Sequence, residues 1–165
     1  FKVEGRTKSL YYVSAVAKTY RQAIDEILKN PSADMEKYFL ELQKVGNRGY
    51  TTGFALGDNN GESYSYDISK GLAGADFLCE FRSDERNITI PADYHLVKVK
   101  NKMLLGDEVE IITPDEQFVA KVEGIKDGDG EDLGLGNTNA DVYIKFSQSP
   151  KNTKYALVRT VGIKG

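Results

Sequence analysis

The side chains best suited to chemistry open the chain. In FKVEGRTKS, Glu4, Arg6, Lys8 and Ser9 stand around a glycine, just before a helical pattern begins. Gly5 lets an extended segment turn sharply. Unpaired N–H groups and the positive dipole end of a helix favour an anion at such a place. An arginine fork adds geometric selectivity for a carboxylate or phosphate. The alternative is a solvated basic turn. A second set lies in residues 47–57, NRGYTTGFALG, a glycine-rich stretch without a period that reads as an ordered loop. Arg48 and Tyr50 there are ligand contacts or loop-anchoring hydrogen-bond partners. These six residues are the candidate anion or substrate site; no residue is assigned a catalytic or metal-ligating role.

Other chemistry is missing or unconvincing. Neither G-x-S-x-G nor H-E-x-x-H occurs, so two common hydrolytic arrangements are excluded. Cys79 is the single cysteine, so no internal disulfide is available and no metal centre can rest on thiolates alone. It shares an apolar face with Phe77 and Phe81 and reads as a small core residue. His95, the one histidine, sits in a strand pattern beside lysines. A Cys79–His95 dyad requires their two strands to be neighbours. The acids Asp127, Asp129, Glu131 and Asp132 miss the register of a calcium loop and read as a hairpin turn. Residues 133–137, LGLGN, lack the lysine and spacing of a phosphate loop and read as another turn.

Two helices must position the opening residues. Val13, Val16, Ala17, Tyr20, Ile24, Ile27 and Leu28 recur at helical spacing from about Ser9 to Lys29. Thr7 or Ser9 is the cap, and Asn30 before Pro31 ends the helix. Tyr11 and Tyr12 fall partly off this stripe; they pack on a preceding domain or line a ligand site, and packing is the expectation. Ser32 or Asp34 opens a second helix along Met35, Tyr38, Phe39, Leu42 and Val45, with Gly46 as its stop. The short connection implies an antiparallel hairpin. Its second apolar side needs cover from a following domain or from a second copy, which would make a homodimer.

From residue 75 onward the pattern is strands. Seven are expected, at 75–82, 87–90, 94–100, 107–113, 117–125, 141–146 and 154–161, with turn residues between them. The fold class is therefore α+β: an N-terminal helical hairpin, then a small antiparallel β-barrel of about seven strands. The expected division is 1–56 for the strand, hairpin and loop, 57–73 for a Gly/Asn/Ser-rich linker, and 74–165 for the barrel.

Residues 1–21 carry five bases and one acid, +4, so the remainder sums to −7 in a chain of net charge −3. A basic patch beside an acidic body suits an anionic partner, RNA included. No apolar run is long enough for a membrane helix, so no membrane partner is expected. A chain opening on Phe is expected to be the tail of something longer.

FKVEGRTKSLYYVSAVAKTYRQAID, then NRGYTTGF, then VKNKMLLGDEVEIITP resemble, in that order, the C-terminal part of the collagenase-like peptidase family U32. Within it, the similarity is greatest to the prephenate-dependent tRNA uridine hydroxylation proteins. The resemblance implies a preceding barrel domain of the same chain, whose last strand ends at Glu4-Gly5-Arg6. It implies that Arg6 and Lys8 hold a carboxylate of prephenate, and that residues 47–57 belong to the active-site rim. Where the family often has a histidine, this sequence has Asn47. An iron–sulfur cluster, with ligands elsewhere in the parent, a tRNA partner and a cytoplasmic location are further implications. The other function the resemblance admits is a collagenase-type protease. In either case the fragment itself is expected to be an accessory module rather than a catalyst.

Overall fold

The computed structural model describes residues 2–47, 49–51, 53, 55, 57, 74–82 and 93–162. They fall into two compact units, residues 1–75 with 162–165 and residues 76–161.

The first unit is helical. Helix α1, Leu10–Lys29, starts where the Ser9 hydroxyl accepts the Tyr12 N–H at 3.2 Å. It stops at Asn30, ahead of Pro31. Helix α2, Glu36–Gln43, is shorter than the pattern implies: it ends before Gly46, in a turn at Lys44 and Val45. The Asp34 carboxylate accepts the Glu36 N–H at its start. Contacts at both ends make the pair antiparallel. Near the α1 C-terminus, Glu26 takes the Lys37 ammonium at 2.6 Å and the Tyr38 hydroxyl. Near the α1 N-terminus, the Tyr11 hydroxyl donates to the Lys44 carbonyl at 3.1 Å.

The buried stripe of α1 is only partly the expected one: Val16 lies on it, and Tyr11 packs as expected. Tyr11, Ala15, Val16 and Thr19 are buried, whereas Val13, Tyr20, Ile27 and Leu28 are exposed. Helix α1 carries two apolar stripes, and α2 covers the one that lets Tyr11 satisfy a carbonyl at the end of α2. The expected strand at the opening is also absent: residues 2–4 join no ladder. A strand is held by a hydrogen-bonding neighbour, and these residues have none among those described.

The second unit is a closed antiparallel barrel. Its strands are β1 (Phe77–Phe81), β2 (His95–Val99), β4 (Glu108–Ile112), β5 (Gln117–Lys126), β7 (Asp141–Phe146) and β8 (Leu157–Thr160). A separate ribbon pairs β3 (Met103–Leu104) with β6 (Leu135–Gly136). Around the barrel the order is β1-β2-β7-β5-β4-β8, with β8 pairing back to β1. Six strands thus close the ring, rather than about seven. The expected strand at 87–90 lies outside the described residues. LGLGN is only partly the expected turn, because two of its residues form β6.

Closure leaves no open edge, and alternation along each strand fills the interior. Cys79, Val97, Val99, Val109, Ile111, Val122, Ile144 and Val158 meet there. Cys79 is fully buried, and burial pushes its thiol pKa far above the ordinary value. Cys79 is therefore expected to resist thiol reagents at neutral pH until the barrel opens. Its labelling rate in a denaturant series should follow unfolding, since only the exposed thiolate reacts. Labelling as fast as a free thiol in the folded protein would contradict the burial.

Candidate functional site

The opening turn is closed by the Lys8 N–H on the Gly5 carbonyl at 3.0 Å. Space at Gly5 is tight: a Cβ would lie 3.1 Å from a methyl group of the exposed Val13, which would have to shift slightly. This turn delivers Arg6 and Lys8 to the head of a 20-residue helix with no acidic residue in its first turn. Arg6 is exposed and, among the described residues, meets no carboxylate. Lys8 Nζ stands 5.3 Å from the centroid of the Tyr12 ring. Glu4 is exposed, its carboxylate 4.0 Å from the equally exposed Lys2 ammonium, a pairing that water screens heavily. Ser9 Oγ accepts the capping N–H, and its own proton remains able to donate.

Tyr50 reaches the same helical unit by another route. Its hydroxyl donates to the Leu42 carbonyl at 2.8 Å, and its ring meets Phe39 edge-on at 5.7 Å. Burial raises the pKa of that hydroxyl, and Tyr12 and Tyr20 raise it further. Tyr12, whose ring centroid is 5.3 Å from Lys8 Nζ, thus also acts electrostatically on Tyr50. Arg48 lies outside the described residues. Asn47 uses its amide to brace its own loop, donating to the Val45 carbonyl and accepting the Gly49 N–H. What the turn can do chemically is bind: a planar guanidinium, an ammonium, a hydroxyl and a helix N-terminus suit a carboxylate or phosphate.

The barrel holds the remaining reactive groups apart. Strands β1 and β2 are neighbours, which meets the condition for a Cys79–His95 dyad. Yet Cys79 lies opposite Val99, four residues along β2 from His95. At 3.3–3.4 Å per residue that is about 13 Å. His95 instead sits 2.8 Å from Ser149 Oγ through Nε2, with Phe81 edge-on at 5.4 Å. Burial lowers its pKa, and Asp93 opposes that shift. A serine–histidine pair needs a third group to orient the imidazole. The nearby Asp93 carboxylate is held by Lys145 at 2.8 Å. Among the described residues no carboxylate bonds to the other ring nitrogen.

Residues 127–132 form the expected turn. The Asp127 carboxylate accepts the N–H groups of Asp129 and Glu131, and Lys126 bonds Asp132 at 2.7 Å. Among the described residues no three of His, Cys, Asp and Glu gather as a metal site. No described helix is long and apolar enough to cross a membrane.

Comparison with known proteins places this geometry in a family. Residues 1–65 match the description "Peptidase family U32", and residues 74–159 match "Peptidase family U32 C-terminal domain". The chain is similar to tRNA hydroxylation protein P of Haemophilus influenzae, with 36% identity over 162 residues, 95% of this chain and 33% of that protein. The protein of the same name in Escherichia coli is 33% identical over 161 residues, 95% of this chain and 34% of its own length. An uncharacterized protease of Methanocaldococcus jannaschii is 47% identical over 70 residues, 41% of this chain and 17% of that protein. The chain thus spans about a third of the length of the two tRNA hydroxylation relatives. With two successive family descriptions covering the helical residues and the barrel in order, the chain belongs to peptidase family U32.

Proposed function

We propose that this chain works within a cytoplasmic tRNA-modifying protein that hydroxylates wobble uridine with prephenate as co-substrate. In this reading Arg6, Lys8 and Ser9 hold one carboxylate of prephenate, and the barrel is a non-catalytic module that packs on RNA or on a neighbouring domain. The observation that carries the reading is the exposed Arg6 guanidinium. It meets no carboxylate among the described residues, at the head of a helix whose first turn is free of acids. The names of the Haemophilus and Escherichia relatives supply the reaction class.

The exposed apolar stripe of α1, with Leu10, Val13, Tyr20 and Ile27, is assigned to a preceding catalytic domain of the same protein, and a second copy is the alternative occupant. An iron–sulfur cluster does not fit this chain's own residues. Its one cysteine is sealed in the barrel core, so no step is routed through a cluster here.

The name of the Methanocaldococcus relative, which matches 41% of the chain, favours a second reading, peptide hydrolysis. The described residues offer no nucleophile with an oriented base, which weighs against placing such chemistry on this segment.

The deciding assay is mass spectrometry of tRNA nucleosides from cells lacking the full-length gene. Hydroxylated wobble uridine should disappear and return with the wild-type gene. The Arg6→Ala/Lys8→Ala double variant should restore at most about a tenth of it, because a charge-assisted bond to a carboxylate contributes about 1.5–3 kcal/mol. Full modification in the deletion strain would overturn the reading.

A further inference from the structure

The loop joining β7 to β8 carries a feature that the candidate anion site does not use. Tyr155 is 72% exposed, and its backbone is left-handed, with φ 64°. Left-handed backbone strains any side chain with a Cβ, and glycine relieves it. The Ala156 N–H on the Thr153 carbonyl at 3.0 Å makes this a turn, with Tyr155 at its third position, where glycine is usual. A large ring there gains little from burial and strains the chain. An observed outlier of this kind points to a use outside the fold.

The loop that holds the ring is braced. Ser147 exchanges bonds with Lys121, its N–H donating to the carbonyl and its hydroxyl accepting the N–H, both at 2.9 Å. Ser149 is tied to His95, and the Lys151 N–H donates to the Glu116 carboxylate at 2.7 Å. The Asn152 side-chain oxygen Oδ1 accepts the Lys154 N–H at 2.8 Å. Lys154 Nζ stands 5.2 Å from the Tyr155 ring centroid, a cation–π contact.

Charge selects the occupant. Residues 142–165 contain Lys145, Lys151, Lys154, Arg159 and Lys164 and no acid, a charge of +5 within a chain of −3. Arg159 and Lys145 are committed to carboxylates. Lys151 and Lys154 are exposed; the Glu116 carboxylate is bound by the Lys151 backbone N–H, and among the described residues neither ammonium group is in an ion pair. An exposed aromatic ring in a braced loop that carries two ammonium groups outside any ion pair suits a single-stranded nucleic acid, whose base stacks while its phosphates are neutralised.

We propose that Tyr155, with Lys151 and Lys154, is a base-stacking platform for an unpaired segment of RNA. The proposal rests on the RNA side of the functional reading above and assigns that contact to a named loop.

The test is fluorescence anisotropy of labelled oligouridine with the intact chain, across a salt series. Tyr155→Gly should weaken binding about tenfold, the range of a lost base–aromatic stack, while thermal stability holds or rises as strain is released. Tyr155→Phe should keep the affinity. Lys151→Ala/Lys154→Ala should weaken binding and flatten its salt dependence, since fewer counterions are released. Oligouridine binding unchanged in Tyr155→Gly would overturn the platform and direct the ring to a protein partner. No binding by the wild-type chain at low salt would overturn it as well. The nucleoside assay above fails or succeeds independently, so the two conclusions separate.

Discussion

Arg159→Ala is expected to destabilise the barrel by about 3–5 kcal/mol, the loss seen when one partner of a buried ion pair is removed. On an 86-residue unit this amounts to a fall in Tm of roughly 12–40 °C. The register explains the size. Arg159 on β8 pairs with Glu110 on β4, while their neighbours Val158, Val109 and Ile111 fill the interior. Both charged side chains therefore leave from the outer face, and still Arg159 is 0% exposed and Glu110 8%. Glu110 Oε2 accepts both Nε and Nη2 of Arg159 at 2.7 Å, and Oε1 accepts the Gln117 amide at 2.8 Å. Alanine would strand that carboxylate out of water without its cation. The double change Arg159→Met/Glu110→Leu should recover most of the loss, because it removes both charges and keeps the volume. Urea denaturation followed by circular dichroism checks both. A loss below about 1 kcal/mol for the single variant is the value of a surface pair and would mean that water reaches Glu110.

The second large effect is expected at Gly124. It lies in β5 where the pairing with β7 shifts register, and Tyr94 fills the space a side chain would need. A Cβ there would overlap the Tyr94 hydroxyl and stand 2.9 Å from Cζ. Gly124→Ala must therefore displace a half-buried ring that also lies 5.7 Å from the Lys126 ammonium. The expected cost is about 1–3 kcal/mol, as for other overpacked sites. In a Tyr94→Ala background the same change should cost much less. A double-mutant cycle reads that coupling directly, and additive effects would remove Tyr94 as the cause.

What the sequence by itself determined was local. A cap at Thr7 or Ser9, of which the structure uses Ser9, and Asn30 before Pro31 as stop bound α1, because both signals act within one turn of the helix. The six staves were legible from alternation and turn residues, since each spans enough positions to show its period. The turn that carries Arg6 and Lys8 was legible because its signal lies within a few consecutive residues.

The tertiary structure decided whatever required a choice among partners. Helix α1 has two apolar stripes, and the position of α2, tied through Tyr11 to Lys44, chose which one to bury. Ring closure joins β8 to β1, strands separated by most of the second unit, and no local pattern states that pairing. The ribbon of β3 and β6 has two residues a side, too few to show a period. Alternation places Glu110 toward water, yet the ion pair with Arg159 exists only once β4 and β8 lie side by side. Tyr155 was invisible for a different reason: a positive φ is normally announced by glycine, and here a tyrosine adopts it within the turn closed by the Ala156 N–H on the Thr153 carbonyl.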